Sequence, residues 1–350
     1  MSNSADRNKQ TFLTSYEMRT GKDLEALGKL FAPRFVVHRG ATDALVRMLG
    51  GEVGPRPETW DFATLLQQMG KTMGGLSDLS HEIEEVYAVD DIVWARRKVA
   101  FTHSGLIYGA IPATGRRATY DEVALVKFDD EGRMAEGWFF CDTFDILEQL
   151  GLELTVDIGD ATLARPPAGR GPIDVRQVPG RLDDHFASTT AEETARNKQT
   201  FLESYDARHR KEMPRLDVMF APEFVVERGS GDSAMLMAGR DPGPRPDAWN
   251  LDRFMVEFKV ASAGHSDWSH TVDAWAEGNV VVGLYQSDWT HSGEDRGGNP
   301  ASGSRVSYPY VGRVRFDEQG RMSDGWFLED PIEVLEQMGA KISIRERGNG

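Results

Sequence analysis

Apolar residues near the start of the chain recur at the three- and four-residue spacing of a helix. A first helix is predicted over residues 6–19, and its apolar side carries Phe12, Leu13, Tyr16 and Met18. A short helix at 23–31 and an amphipathic helix at 58–73 follow, and the apolar stretch FVVH between them is typical of a strand. This part of the chain therefore predicts three helices and one short strand.

The pattern then changes to strand-like stretches separated by turn residues. These stretches lie at about 80–88, 92–103, 117–128 and 133–141. Asp90-Asp91 and the segment Asp129-Asp130-Glu131-Gly132 are typical turn sequences. Helices followed by a strand meander predict an α+β unit in which about three helices cover one face of a curved antiparallel sheet. Such a sheet encloses an apolar cone, which is the expected ligand site.

The same unit is written twice. RNKQTFL occurs at residues 7–13 and again at 196–202, an offset of 189. After a one-residue deletion the offset becomes 188, and it then holds for THSG at 102–105 and 290–293. LEQLG at 147–151 likewise matches LEQMG further along the chain. A heptapeptide does not recur by chance at a constant offset, so the chain is a tandem duplication of a unit of roughly 145 residues.

The duplication predicts two domains of one fold. We expect a first domain at 1–155, a Pro/Gly-rich, irregular connector at 156–190 and a second domain at 191–345. The result would be a covalent version of an ancestral homodimer, a pseudo-dimer within one chain that can assemble further.

Composition and charge narrow the range of partners. The net charge is −16, which disfavours nucleic acid and an anionic membrane surface. The only cysteine is Cys141, so no intrachain disulfide can form and a cytoplasmic location is expected. The chain has neither metal-binding His/Cys spacing nor a GxGxxG, Walker or GxSxG motif. A cofactor-independent protein that takes a small hydrophobic or aromatic ligand is therefore expected.

Two long motifs resemble a known family. THSGLIYGAIPATGRRATY and FDDEGRMAEGWFFCDTFDILEQLG are similar to the SnoaL-like polyketide cyclases of the nuclear transport factor 2-like superfamily. The resemblance implies tandem cones and, in cyclases, a catalytic Asp/His pair. The Asp position is occupied by Phe139 and Phe327, and the His position by Leu125 and Arg313. The loss of this pair disfavours a standard polyketide cyclase.

Four residues are the catalytic candidates: His38, Tyr16, His103 and Asp142. Histidine moves protons near neutral pH, a buried tyrosine can donate one, and Asp142 matches the final acid of the family motif. Three of them have a structural alternative. His38 can be a solvated strand end, Tyr16 can be core packing, and His103 can simply bond the loop that follows it.

A second set is expected to line the substrate site. It consists of Arg39, Trp60, Tyr108, Trp138, Tyr120, Asp121, Glu227, His291, Arg313 and Asp330. The register inferred from the family points Asp121 into the cone and Glu122 outward, although a shift of one residue would reverse this. Aromatic walls suit an aromatic substrate, but they also fill cores.

The leading functional hypothesis is cofactor-independent acid/base catalysis of carbon–carbon cleavage. The chemistry resembles that of the lignin diarylpropane lyases of the same superfamily, which release formaldehyde from a diol. Tyr16 or His103 would act as acid, His38 or Asp142 as base, and Arg39 or Arg313 would hold a phenolate. The alternatives are a cyclase, isomerase or dehydratase, or a non-catalytic binding or scaffold protein. If only one copy is catalytic, the first is favoured because it keeps GAIPATG.

Overall fold

The computed structural model describes residues 3–21, 23–39, 41–53, 58–158, 161–164, 189–210, 212–228, 248–249, 251–294 and 300–346. The chain divides into two compact units, one running to Glu153 and the other from Leu154 to Ile344. Each unit contains a six-stranded sheet with helices on one face, so the predicted α+β class with two tandem cones is confirmed.

The first unit follows the predicted order of helices and strands. Its helices are α1 (Asn3–Gly21), α2 (Leu24–Gly28), α3 (Ala41–Met48), α4 (Phe62–Met73) and α5 (Thr143–Gln149). Its strands are β1 (Phe31–Arg39), β2 (Glu58–Trp60), β3 (Leu76–Val89), β4 (Ile92–His103), β5 (Arg117–Phe128) and β6 (Met134–Cys141). The sheet order is β2-β1-β6-β5-β4-β3, with β1 and β6 parallel and the other neighbours antiparallel. The sequence pattern predicted neither α3 nor α5, it placed the residues of β2 in the helix at 58–73, and it did not predict the parallel pair.

The first part of the predicted connector is a β-hairpin and not irregular chain. Residues Leu152–Ile158 form β7 and Ala161–Ala164 form β8, which pair as an antiparallel hairpin. Residues 165–188 of the connector lie outside the described part of the chain.

The second unit repeats the architecture of the first. Its helices are α6 (Ala191–His209), α7 (Met213–Met219), α8 (Leu251–Ala263) and α9 (Pro331–Gln337). Its strands are β9 (Phe220–Arg228), β10 (Ala248–Trp249), β11 (His265–Glu277), β12 (Val280–His291), β13 (Arg305–Phe316), β14 (Met322–Leu328) and β15 (Lys341–Glu346). The main sheet has the order β10-β9-β14-β13-β12-β11, the counterpart of the first sheet, and a small sheet has the order β15-β7-β8.

The core of each unit lies between the helices and one face of the main sheet. In the first unit, Val93 and Ala95 of β4 and Ala124 of β5 pack with α1 in this core. Side chains alternate between the two faces of a strand. Arg97 and Glu122 therefore share the helix-covered face. We call the layer between helices and sheet the first cone, and its counterpart in the second unit the second cone.

This register reverses the predicted orientation of two acidic residues. Glu122 points into the first cone with Ala124, whereas Asp121 points to the opposite face of the sheet. The family-based register was wrong by one residue, which exchanges the two faces of a strand.

A β-bulge explains the deletion that changes the repeat offset. In β3 the pairing shifts between Ile83 and Glu85, where one extra residue enters the strand. The matching pairs in β11, Val272 with Tyr285 and Asp273 with Leu284, follow each other without a shift. The change from 189 to 188 is therefore located at this bulge.

The arginine of the repeated heptapeptide contacts the turn of a second repeated motif in both copies. The guanidinium of Arg7 lies over Gly132 so closely that a Cβ there would come within 2.4 Å of Nε. Gly132 has a φ of 80° and closes the β5–β6 turn. Arg196 covers Gly320, with φ 75°, in the same way. Both turns keep the Gly because its left-handed conformation is unfavourable for other residues, and the Arg side chain lies over it in each copy.

Among the described residues, no helix is long and apolar enough to cross a membrane.

Candidate functional site

Polar side chains from four elements meet inside the first cone. Tyr16 and Arg19 come from α1, His81 from β3, Arg97 from β4 and Glu122 from β5. Arg97 and Glu122 are cross-strand neighbours and form an ion pair. The Arg97 Cζ lies 4.4 Å from the centre of the Tyr16 ring, and the Arg19 Cζ lies 5.0 Å from it. The Tyr16 and His81 rings are 5.7 Å apart.

The electrostatics of this group favour a charged Arg97 beside neutral His81 and Tyr16. Burial opposes the charge on Arg97, but Glu122 and two tyrosines outweigh it and raise its pKa. Burial, together with Arg97 and Arg19, lowers the pKa of His81 to about 4. Burial raises the pKa of Tyr16 despite both arginines. At neutral pH His81 is therefore an uncharged imidazole and Tyr16 a protonated phenol, beside the ion pair of Arg97 with Glu122.

Tyr120 lies on the same face of β5 as Glu122 and extends the group towards β6. Burial, followed by the charge of Glu122, raises its pKa well above the usual value, so the phenol keeps its proton. Trp60 packs in the core cluster below, with 8% of its surface exposed. Both residues lie on the cone side of the sheet, and their contact with substrate stays a prediction.

The second cone holds the matching positions with different chemistry. Tyr205, Arg208 and His270 correspond to Tyr16, Arg19 and His81 at the offset of 189. The Arg208 Cζ lies 4.3 Å from the Tyr205 ring centre, and the Tyr205 and His270 rings are 4.8 Å apart. The Tyr–Arg–His group is thus common to both copies.

The ion pair is not common to both copies. Tyr285 and Tyr310 stand where the first copy has Arg97 and Glu122, and their rings stack at 4.3 Å with an interplanar angle of 5°. A carboxylate does occur one strand away, since Glu329 replaces Cys141 and lies beside the Tyr308 hydroxyl. The two cones therefore present different charge patterns.

Sequence reasoning missed four members of the first cone: Arg19, His81, Arg97 and Glu122. A signal for two of them was available, because Arg19/Arg208 and His81/His270 are retained between the copies at the same offset as the repeated heptapeptide. Arg97 and Glu122 gave no such signal, because both are replaced in the second copy.

His103 and His291 hold the loops that follow their strands. The backbone N–H of Thr114 donates to His103 Nδ1 at 3.3 Å, and the Thr114 hydroxyl lies 3.1 Å from the same nitrogen. Ser302 makes the equivalent contacts with His291 at 3.2 and 3.1 Å. Burial lowers the pKa of His103. These contacts support the structural alternative for both histidines.

Asp142 and Asp330 cap short helices. Asp142 Oδ1 accepts from the backbone N–H of Asp145 at 3.1 Å, and Asp330 Oδ1 accepts from that of Ile332 at 3.0 Å. Each is the N-cap of the helix that follows β6 or β14. Capping accounts for their presence in both copies.

His38 lies on the face of the first sheet opposite the cone, contrary to the prediction. Its neighbour Val37 packs in the core, so His38 points the other way. There its Nε2 lies 2.6 Å from Glu136 Oε1, and its ring stacks on Trp138 at 4.4 Å. The predicted placement of His38 and Trp138 in the cone was therefore wrong.

Arg313 and Asp121 also lie outside the cones. Arg313 is fully buried on the face of β13 opposite Tyr310 and Val314, where it pairs with Asp324. It cannot hold a phenolate inside the second cone. Leu125, to which the family's histidine position was assigned, faces away from the first cone for the same reason, whereas Phe139 packs against its core.

Of the four predicted catalytic residues, only Tyr16 lies in the first-cone group. Tyr108 lies in the loop between β4 and β5 with a φ of 51°, and a role in substrate binding stays a prediction. The side chains of Arg39 and Glu227 lie outside the described residues.

The part of the chain that the structure describes contains no group of three or more His, Cys, Asp or Glu side chains placed to hold a metal ion. The first cone instead offers proton-transfer chemistry. Glu122 can accept a proton, Arg97 and Arg19 can stabilise negative charge, and Tyr16 and Tyr120 can donate hydrogen bonds.

Comparison with known proteins finds a similarity in the first copy. Residues 10–150 match the family model of the SnoaL-like polyketide cyclases. Among curated protein sequences, none matches this chain.

Solved structures similar to the chain include IdmH, a candidate polyketide cyclase from Streptomyces antibioticus. The two sequences are 28% identical, the match covers 41% of this chain and 98% of that chain, and the TM-score is 0.35. A candidate polyketide cyclase from Acidithiobacillus ferrooxidans has 21% identity, coverage of 43% and 97%, and a TM-score of 0.35. AclR from Streptomyces galilaeus, described as a candidate hydroxylase, has 22% identity, coverage of 42% and 97%, and a TM-score of 0.33.

Proposed function

We propose that the first cone catalyses a cofactor-independent, cyclase- or isomerase-type reaction that begins with removal of a proton next to a carbonyl group. The substrate class is an aromatic or polyketide-like ketone. The SnoaL-like domain at residues 10–150 supports this reaction class. The observation that carries the proposal is the Glu122–Arg97 ion pair on the cone-facing side of the sheet, within reach of Tyr16 and His81.

Glu122 is the general base in this proposal. Its carboxylate takes the proton from the carbon next to the carbonyl, and the electrons of the C–H bond move to the carbonyl oxygen. Arg97 balances the carboxylate before the transfer and is then adjacent to the new enolate oxygen. One guanidinium thus stabilises negative charge on either side of the step, without a large rearrangement.

The neutral residues complete the oxyanion site. Tyr16 keeps its proton because burial raises its pKa, so it donates a hydrogen bond rather than adding a second negative charge. His81 stays neutral above a pKa of about 4 and leaves the positive charge to the two arginines. Ring closure follows when the enolate carbon attacks a second carbonyl, and the resulting alkoxide takes the proton back from Glu122. Isomerisation instead returns the proton to another carbon.

This assignment differs from the known cyclases, because both members of their Asp/His pair are replaced in the first copy, by Phe139 and Leu125. Phe139 occupies the place of their catalytic Asp and packs against the core of the first cone. We propose that Glu122 on the neighbouring strand takes over the base function. Phe139 also supports the second candidate, a non-catalytic binding module, because an apolar side chain there removes the family's own acid/base group.

Proton exchange in D2O separates the two candidates. The protein is incubated with a panel of aryl ketones, aromatic poly-β-ketones and diarylpropane diols, while mass spectrometry follows deuterium uptake and products. Formaldehyde is measured in parallel because its release would indicate the deformylating cleavage instead. Catalysed exchange that disappears in Glu122→Gln and persists in Asp121→Asn, its neighbour on the opposite face, supports the proposal. Ligand binding without exchange by the wild-type protein favours the binding module.

A further inference from the structure

We infer that the second cone is a separate binding site for an uncharged aromatic molecule that carries hydroxyl or carbonyl groups. This site is distinct from the proposed catalytic cone, and its detection depends on binding rather than turnover.

The mouth of the second cone has become aromatic relative to the first copy. Trp268 replaces Leu79, and Tyr310 replaces Glu122. Trp268 lies 5.8 Å from the ring of Phe258 on α8 and 6.3 Å from that of His209 on α6. The first copy has Met in place of Phe258 and Thr in place of His209. Four rings are therefore new at this end of the cone, those of Trp268, Tyr310, Phe258 and His209.

A hydrogen bond fixes the new indole. Trp268 Nε1 donates to Ser287 Oγ at 3.1 Å, and Ser287 stands where the first copy has Val99. The Trp and its acceptor therefore changed together. This pairing holds the indole plane in one orientation, which is what stacking against a flat ligand requires.

The floor of the second cone was remodelled in the same way. A Cβ on Gly283 would come within 2.8 Å of the Tyr285 ring, and one on Gly312 within 3.1 Å of its hydroxyl. The first copy has Ala95 and Ala124 at these positions. The Tyr285 ring thus packs against the sheet where Gly283 and Gly312 have no side chain, and the Tyr310 ring stacks on it. Tyr285 fills the floor while the mouth rings, Trp268 and Tyr310, remain partly exposed.

Three buried polar atoms lie among these aromatic rings: the hydroxyls of Tyr205 and Tyr285 and the Nδ1 of His270. Within the described residues, the hydroxyls of Tyr205 and Tyr285 have no hydrogen-bond partner other than each other, although the two side chains are only 7% and 1% exposed. His270 Nδ1 is likewise unpaired, while its Nε2 lies 3.3 Å from the Tyr310 hydroxyl. Buried polar atoms of this kind usually have a partner, so they point to a ligand with polar groups.

The titratable side chains that line the mouth are neutral, which favours an uncharged ligand. Burial lowers the pKa of His270 to about 3 and raises those of Tyr308 and Tyr310 well above the usual value, so these groups are neutral at pH 7. Among the described side chains, Arg208 lies over Tyr205 and Phe220, and Glu329 lies beside Tyr308. A neutral ring with a hydroxyl group fits this arrangement better than a carboxylate.

Calorimetric titration with 2-naphthol tests the inference, with 2-naphthoate as the matched anion. We expect 2-naphthol to bind at least about tenfold more tightly than 2-naphthoate to the site that depends on Trp268. Trp268→Leu, which installs the residue of the first copy, should weaken 2-naphthol binding at least about tenfold. The reciprocal control, Glu122→Gln in the first cone, should leave this binding unchanged.

Equal 2-naphthol affinity in wild type and Trp268→Leu would overturn the inference, and so would the absence of binding at millimolar concentration. If Trp268→Leu does not fold, Tyr310→Glu provides the same test from the opposite wall. The outcome is independent of the proposed reaction, because Trp268→Leu should keep wild-type deuterium exchange if the first cone is catalytic.

Discussion

The carboxylate of Glu122 and the guanidinium of Arg97 are paired across neighbouring strands, on the face of the first sheet that the helices cover. The pair is largely buried, with 13% and 6% of the two side chains exposed. Buried ion pairs are costly to form and are weak evidence for stability. Replacement of this pair by Tyr310 and Tyr285 in the second copy shows that the fold itself does not require it. Its presence in only one cone is best explained by chemistry.

Glu122→Gln should lower kcat/KM by at least about 100-fold, because the amide cannot accept the proton that the reaction removes. The measurement is the rate of deuterium exchange on a substrate from the panel. Asp121→Asn changes the same kind of side chain on the same strand but faces away from the cone. It should stay within roughly threefold of wild type. Greater loss in Asp121→Asn than in Glu122→Gln would show that the opposite register is the functional one.

Acid should destabilise the protein through its buried neutral histidines. His81 has a folded-state pKa of about 4 and His270 of about 3, against an ordinary value of 6.5. At a pH between the folded-state pKa and 6.5, these histidines are protonated in the unfolded chain but not in the folded one. The free energy of unfolding therefore falls as the pH drops from 6.5 towards 4. Above pH 6.5 this contribution is fully present.

The double variant His81→Gln, His270→Gln has no imidazole to protonate at these two positions. Urea unfolding between pH 4 and 7 should therefore show a shallower dependence of stability on pH than in wild type. An unchanged slope would mean that other groups, such as His265, whose pKa burial lowers to about 4, dominate the acid response.

His103→Ala and His291→Ala should behave alike, because both histidines bond the loops after their strands. We expect each to lower the free energy of unfolding by about 1–3 kcal/mol, as the loop N–H loses its buried acceptor. Deuterium exchange per folded molecule should change little. A loss of activity confined to His103→Ala, at wild-type stability, would instead support the catalytic role considered from the sequence.

Gly283→Ala should destabilise the second unit by about 1–3 kcal/mol, because its Cβ would come within 2.8 Å of the Tyr285 ring. The cost should shrink when Tyr285→Leu removes that ring. Urea unfolding of the wild type, both single variants and the double variant gives the coupling between the two positions. Purely additive effects would contradict the packing of Tyr285 against Gly283.

Local motifs could be predicted from the sequence because their function is local or repeated. The turn Asp129–Arg133 shows this: Asp129 Oδ1 accepts from the backbone N–H of Arg133, and Gly132 supplies the left-handed conformation. The strands at 92–103 and 117–128 were predicted with the bounds that the structure has, because long apolar stretches between turn residues are unambiguous.

What the sequence determined by itself was the duplication, the α+β order of elements and the similarity of the first copy to the SnoaL-like cyclases. The tertiary structure decided which side of each strand faces the cone, and with it the candidate site. His38, Asp121 and Arg313 point away, while Arg97 and Glu122 point in. The physical reason is the two-residue period of a strand, because an error of one position exchanges the faces. The meeting of Tyr16 with Arg97 depends on the packing of α1 against the sheet, which no local pattern encodes.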